Sequence, residues 1–499
     1  MSTIRRQSII SSGIVYFGFA LGGLNTLLFT KNFTPEQYGL TGIFQSLAYI
    51  MFPLAGLGMQ AFIYKFYPYY HDNLPPKEND MMTWAFLISF IGFLIVISGG
   101  FFFKDFVVDR LGGKSPELVK YYYWIFPFGA GLTFYSLMET FAWHLKKVVL
   151  TSFFKEVQFR FFTFVLILLY ITGILKSFDT FIRVYAFTYL LLALCLFTYL
   201  IVTRQLHFPF YRSRVSKKFF KKIVTLAGFV WSGQILLSIS TYFAQIILAF
   251  VIGMRAVGIY TLALYVGGLV QAIQRSVNAA TIGPLSRAWK DKDYGRINRI
   301  YQRSSINQLI FSSGMFVLIW INFTDGVLTF HLKSDYLLAK AAFFYVGLKF
   351  VVDMGTGVNT QIIGASTFWR FDFFTGVILA ALTLPANYIL AIKEGYVGPA
   401  MADLATFTLY NAIRCLFLYR KFGMQPFNLK TLYTLLLATF GYFVCHFLFD
   451  AYHGILWLVV RSVVFIGIFG MGTLLLRLSD DILPVWGTIK KRLGLAKIS

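Results

Sequence analysis

Residues 267–283 read GGLVQAIQRSVNAATIG, which sets Gln271, Gln274, Arg275, Ser276 and Asn278 in an oily neighbourhood. At helical spacing Gln271, Arg275 and Asn278 share one face beneath Gly267. A guanidinium there offers a planar fork of donors suited to an anionic group, and the two amides add hydrogen-bonding capacity. Lys349 and Asp353 stand four apart and also share a helix face. That pair has two readings. It is a mutual ion pair, or Asp353 exchanges a proton or sodium ion while Lys349 holds anionic cargo. Glu139, shortly before Trp143 and His144, is either a second exchangeable carboxylate or an interfacial anchor. Asn25 and Gln234 are uncharged candidates for lining a cavity, although such residues also bond membrane helices together. Asp403 and Arg414 read as groups that pair or reach an interface, and Arg461 as one that snorkels outward.

These positions matter because the elements around them are membrane helices. Of the 499 residues, 58% are hydrophobic and 13% charged, with mean hydropathy +0.67. Apolar blocks of spanning length recur from residue 8 to residue 476, giving fourteen expected crossings joined by short loops. The expected class is all-α, a polytopic membrane protein. A charge inside such a span costs at least ~2.5 kcal/mol on insertion scales, so each one is expected to face a cavity or a partner. The net charge of +24 does not indicate nucleic acid, because the basic residues sit in short loops rather than on one soluble face. Lysine and arginine concentrate on the side that holds the N-terminus, most densely in 204–222 and 286–303, which places both termini in the cytoplasm. The first apolar run is too long for a signal sequence and reads as a retained span. Cys195, Cys415 and Cys445 all fall within apolar segments and are expected to be inert packing residues. There is no P-loop and no metal-ligand spacing of histidines, so no cofactor is expected and ATP is not the direct drive.

The chain repeats itself. EQYGLTGIF at 36 aligns with AVGIYTLAL at 256, bringing Gly39 opposite Gly258. LVKYYYWIF at 118 aligns with LAKAAFFYV at 338, SFFKEV at 152 with DFFTGV at 372, and Pro209 with Pro426, all at nearly constant spacing. Six spans per repeat is an even number, so the repeats run parallel, an arrangement typical of transporters whose site lies between the halves. The expected organisation is an N-terminal six-helix lobe at 1–203, a basic cytoplasmic linker at 204–222 and a C-terminal six-helix lobe at 223–421. An extra helix pair with a basic tail follows at 422–499.

Residues 387–423, NYILAIKEGYVGPAMADLATFTLYNAIRCLFLYRKFG, carry an Asn before a short loop and then an entry with Gly395, Gly398, Ala400 and Ala402. With FTPEQYGL after the first span and the basic loop PLSRAWKDKDYGRINRIYQRSS, the chain resembles polysaccharide-type flippases of the multidrug/oligosaccharidyl-lipid/polysaccharide exporter superfamily. Pro399 departs from the small residue usual in that pattern. The resemblance implies a carrier in the bacterial cytoplasmic (inner) membrane. Its cargo would be a lipid-linked oligosaccharide on polyprenyl pyrophosphate, flipped outward by alternating access for surface polysaccharides such as lipopolysaccharide or exopolysaccharide. It also implies membrane lipids as neighbours, with attachment of polysaccharide assembly proteins left open. On that reading Arg275, Gln271 and Asn278 hold phosphate or sugar, and Arg461 touches a lipid phosphate in a groove for the lipid tail. The alternatives are a cation-coupled drug antiporter of the same superfamily and, more remotely, a membrane polysaccharide polymerase or ligase. The longest outer loop, 104–120, lacks the histidine expected of the latter.

Overall fold

A computed structural model describes residues 3–481, and among these every regular element is helical. Packing divides the chain between Thr261 and Leu262 into two compact units.

In the first unit α1 (Thr3–Asn32) is followed by α2 (Pro35–Gly56), α3 (Met59–Asn73) and α4 (Met81–Phe102). Thr34 starts α2 as one half of a capping box with Gln37, and Pro35 supplies the first-turn φ without needing its missing N–H. The second expected span is not one helix. It breaks at Leu57 and Gly58, both in the left-handed region with φ of 44° and 75°. Gly58 is required there twice over: the φ suits glycine, and a Cβ would lie 2.2 Å from the carbonyl oxygen of Ala227. Short helices α5 (Lys104–Leu111) and α6 (Pro116–Lys120) lead to α7 (Ile125–His144) and α8 (Val148–Ser152). A π-helical segment, Phe153–Gln158, then runs into α9 (Phe159–Ile171), α10 (Phe178–Tyr185), α11 (Thr188–Val202) and the long α12 (Arg214–Val251). Helix α2 is the centre of the unit, packed against α4, α7 and α12.

Helix α13 (Met254–Val270) begins the second repeat's counterpart of α2, and the aligned glycines meet. A Cβ on Gly39 would lie 2.6 Å from the carbonyl oxygen of Met254, and one on Gly258 only 1.9 Å from that of Pro35. Each glycine thus meets the carbonyl four residues before its counterpart.

The second unit continues with α14 (Gln274–Lys290), α15 (Tyr294–Thr329), α16 (Ala339–Gly355) and α17 (Asn359–Ala365). Next come α18 (Trp369–Glu394) and α19 (Gly398–Phe422), then the final pair, α20 (Leu429–Phe449) and α21 (Ile455–Leu475). Helices α15, α16 and α19 pack in series, α18 lies on α19, and both α20 and α21 pack on α15. The eighth expected span is broken like the second: α13 and α14 meet at an angle of 46° across residues 271–273.

All fourteen expected segments contain helix. By length and apolarity, however, nine helices of the described residues are long enough to cross a membrane, or ten with the bent α13–α14 pair. The shortfall has local causes. Helix α9 has 13 residues because a π segment precedes it, and α16 has 17 because the chain turns at Gly357. Arg370–Phe422 counts as one stretch although it reverses at Gly395, where φ is 63°.

Candidate functional site

Buried charge in the first unit gathers where α7 meets the π segment. Glu139, 5% exposed, accepts from Lys155 Nζ at 3.0 Å. One residue along, buried Glu156 accepts from Arg160 Nη1 at 2.6 Å, an i,i+4 pair, and the same nitrogen reaches the Glu156 carbonyl at 2.7 Å. The Arg160 carbonyl in turn accepts from Asn25 Nδ2 of α1 at 2.8 Å, while the buried Asn25 Oδ1 has no hydrogen-bond partner among the described residues. Asn25 therefore ties α1 to α9. Glu139 is not an isolated carboxylate, since the Lys155 ammonium neutralises it. Gln234 sits half-buried on α12, whereas Gln245 on the same helix bonds Ser46 and, at 2.8 Å, Thr261.

The second unit holds a larger polar core on α16, α18 and α19. Lys349 Nζ donates to Asp403 Oδ2 at 2.9 Å, and Asn387 Nδ2 donates to the other Asp403 oxygen at 3.2 Å. Lys349 also lies 4.5 Å from the centroid of the Phe407 ring. The mutual Lys349–Asp353 pair expected from i,i+4 spacing is thus replaced by a pair across helices. A buried ammonium gains most from a carboxylate that is equally desolvated, and Asp403 is 1% exposed. Asp353, half-buried, is instead held by amides: Gln274 Nε2 at 2.7 Å on one oxygen and Asn411 Nδ2 at 3.1 Å on the other. Asn411 Oδ1 accepts from Thr356 Oγ1 and Asn359 Nδ2 at 3.0 and 2.9 Å. Gln271 donates to Gln274, which completes a relay from the helix break to the carboxylate. Further along α19, fully buried Arg414 pairs with Asp372, donates to Thr360 Oγ1 at 2.5 Å and lies 4.3 Å from the Tyr410 ring centroid.

The break at 271–273 changes the stripe with which the sequence began. Gln271 lies in the turn, Gln274 points to Asp353, Arg275 is exposed in the first turn of α14, and Asn278 is half-buried one turn on. A single continuous face no longer joins them. Arg461 also departs from expectation. It does not snorkel: it is 6% exposed, donates to Asp325 Oδ2 and the Ile321 carbonyl at 2.6 Å, and reaches the carbonyls of Phe449 and Tyr452 at 3.1 and 2.9 Å. Its donors point at protein acceptors rather than at lipid. His453 Nδ1 lies 2.8 Å from the second Asp325 oxygen, so α15, α20 and α21 are tied at one end.

Sequence reasoning missed Lys155, Glu156 and Arg160, which fell at the edge of an expected span. The Glu156–Arg160 spacing could have found two of them. It also missed Asp325, whose partner lies 136 residues away. No cluster of potential metal ligands exists among the described residues. What the second unit's core can do is hold one carboxylate, Asp353, among exchangeable amide donors beside a locked ion pair, with a cation at the start of α14.

A family model described as polysaccharide biosynthesis protein matches residues 4–289, more than half the chain. No curated protein matches. Among solved structures, the lipid II flippase MurJ in an inward closed conformation superposes with a TM-score of 0.72 at 15% identity, over 95% of this chain and 100% of that one. A multidrug-resistance MATE transporter of the MOP superfamily, inward-facing, gives 0.63 at 15% identity over 83% and 99%. A MOP superfamily transporter from Pyrococcus furiosus, described as having a binding pocket of reversed polarity, gives 0.58 at 13% over 84% and 95%. This multi-pass membrane chain belongs to the polysaccharide biosynthesis protein family and has the fold of MOP superfamily transporters.

Proposed function

We propose that the chain is a flippase for a polyprenyl-pyrophosphate-linked oligosaccharide, moving it outward across the bacterial cytoplasmic membrane by alternating access for surface polysaccharide synthesis. One observation carries the reading: the likeness to the lipid II flippase leaves out 5% of this chain, fewer residues than the 42 in α20 and α21 together. The MATE match leaves out 17%, enough to hold both helices. That difference in coverage favours the lipid carrier over the drug antiporter.

In this reading Arg275 is the first phosphate contact, since it is a permanent cation exposed beside a helix break. Gln271 and Asn278 support it, with Asn25 and Gln234 as sugar contacts. Asp353 and Glu139 are the coupling carboxylates. Lys349 contacts cargo only when its bond to Asp403 opens. The lipid-groove role of Arg461 is not carried forward, because its donors are occupied. Both termini lie in the cytoplasm. The six-helix lobes remain those of the repeat, 1–203 and 223–421.

The test is reconstitution. Purified full-length protein in vesicles is given a fluorescent polyprenyl-pyrophosphate oligosaccharide, and an impermeant quencher reads its transbilayer movement. Movement faster than in protein-free vesicles is expected. Movement no faster than in those vesicles, together with proton-driven uptake of a lipophilic cation, would reassign the chain to drug export.

A further inference from the structure

Two cavities of the first unit share a wall and lie outside the polar cluster described above. The first, about 330 Å³, is lined by Tyr67, His71, Asn79, Arg204, Gln205 and His207 among other residues. The second, about 470 Å³, is lined by Phe86, Phe90, Phe134, Phe197, Phe208 and Phe210 with aliphatic neighbours. Consecutive residues divide between them. Met82 lines the polar cavity and Thr83 the apolar one; His207 lines the former and Phe208 the latter.

The shared wall is the segment that follows α11. A tight turn, with Gln205 N–H bonded to the Leu200 carbonyl at 2.9 Å, holds Arg204 in the left-handed region at φ 54°. Leu206 is buried, and the Phe208 ring lies 5.6 Å from Phe86 and 6.2 Å from Phe197. Tyr67, also in the lining of the polar cavity, stacks on His144 at 4.4 Å and on His71 at 5.5 Å. Other charges stand nearby: Asp72 bonded to His71 at 3.1 Å, Lys77 and Glu78 in the Pro76–Glu78 turn, and Arg214 bonded to the Asn73 carbonyl.

We infer that the two cavities form one binding site for an anionic glycerophospholipid, with the phosphate on Arg204, His207 and Asn79 and an acyl chain in the phenylalanine groove. Leu87, Phe90, Leu194 and Phe210 are exposed at the groove, so in a chain that crosses the membrane the bilayer has access to it. A groove with almost no polar lining takes hydrocarbon and nothing else. Its neighbour has one permanent cation, two imidazoles and two carboxamides, which suits a phosphate. A lipid that merely surrounds the protein needs the groove alone; the adjoining polar pocket selects for a charged head. Basic pockets between membrane helices hold anionic head groups in this way. The inference is independent of the transport proposal.

Native mass spectrometry of the full-length protein, with phosphatidylglycerol or phosphatidylcholine of identical chains, tests it. Phosphatidylglycerol should be retained about tenfold more tightly, the worth of one charge-assisted contact. Arg204→Gln with His207→Gln should abolish that preference, and Leu194→Trp, which fills the groove, should weaken retention of both lipids. Should the double variant melt early in detergent, Arg204→Lys keeps the charge without the fork and should lower the preference by itself. Equal retention of the two lipids would overturn the site. So would a preference that survives the variants, displacement by inorganic phosphate alone, or tighter binding of polyprenyl pyrophosphate than of phosphatidylglycerol.

Discussion

The two repeats bury charge by different routes. In the first, Glu139 and Glu156 meet Lys155 and Arg160 within a short stretch of chain, on the fourth helix and the segment leading into the fifth. Partners lie 4 and 16 residues apart. In the second, Lys349 meets Asp403 across 54 residues, joining the fourth helix of the repeat to the sixth. The position matching Glu139 holds Asn359, an amide that serves Asn411 rather than a cation. One fold thus carries a locally closed cluster in one half and a cross-helix core in the other. A local cluster keeps its pairs while helices shift. A cross-helix pair makes stability depend on one arrangement of three helices, and any movement of α19 against α16 must open it.

Breaking the cross-helix pair should have the largest effect. Lys349→Ala or Asp403→Ala leaves a buried charge without its partner, which costs about 3–5 kcal/mol. Thermal unfolding in detergent checks this, and the joint change Lys349→Met with Asp403→Leu should recover most of the loss. If the joint variant is as unstable as either single one, the pair is not the unit described. In the first repeat Glu139→Ala should cost less, about 1–3 kcal/mol, because the Lys155 side chain is 31% exposed against 7% for Lys349. Equal losses in the two halves would erase the contrast.

Arg275→Ala should slow flipping of the lipid-linked glycan about tenfold through loss of a charge-assisted contact. Normal flipping at normal expression would remove Arg275 from the site. The smallest effect belongs to Gln274→Leu. Asp353 keeps Asn411, so the loss should be about 0.5–1.5 kcal/mol. A larger one would show that the relay from the helix break supports the whole core. For topology, a cysteine placed at Arg110 should react with an impermeant reagent from outside the cell, and labelling from the cytoplasm alone would invert the assignment.

The repeat was legible because glycine leaves a mark in sequence wherever two backbones touch. Gly39 and Gly258 aligned first as letters and then proved to meet each other's helix reciprocally. The helix breaks were less legible. Leu57–Gly58 and Gln271–Ile273 lie in apolar or mixed runs whose hydropathy continues across the bend, so the window that finds a span does not register it. Charge partners were least legible. The i,i+4 rule proposed Lys349 with Asp353 and fails there although both lie on α16, whereas it holds for Glu156 with Arg160 across the junction of the π segment and α9.

The sequence by itself determined that the chain is helical and crosses a membrane repeatedly, and its spacing led us to expect parallel repeats with a further helix pair. Those properties follow from composition, block length and spacing, which are local or periodic quantities. Only the tertiary structure decided that Lys349 belongs to Asp403, that Arg461 holds α21 to α15 through Asp325, and that Arg275 starts a new helix instead of continuing a stripe. In an apolar interior a charge takes whichever partner is nearest in space and equally buried, and that choice depends on how helices cross rather than on their order in the chain.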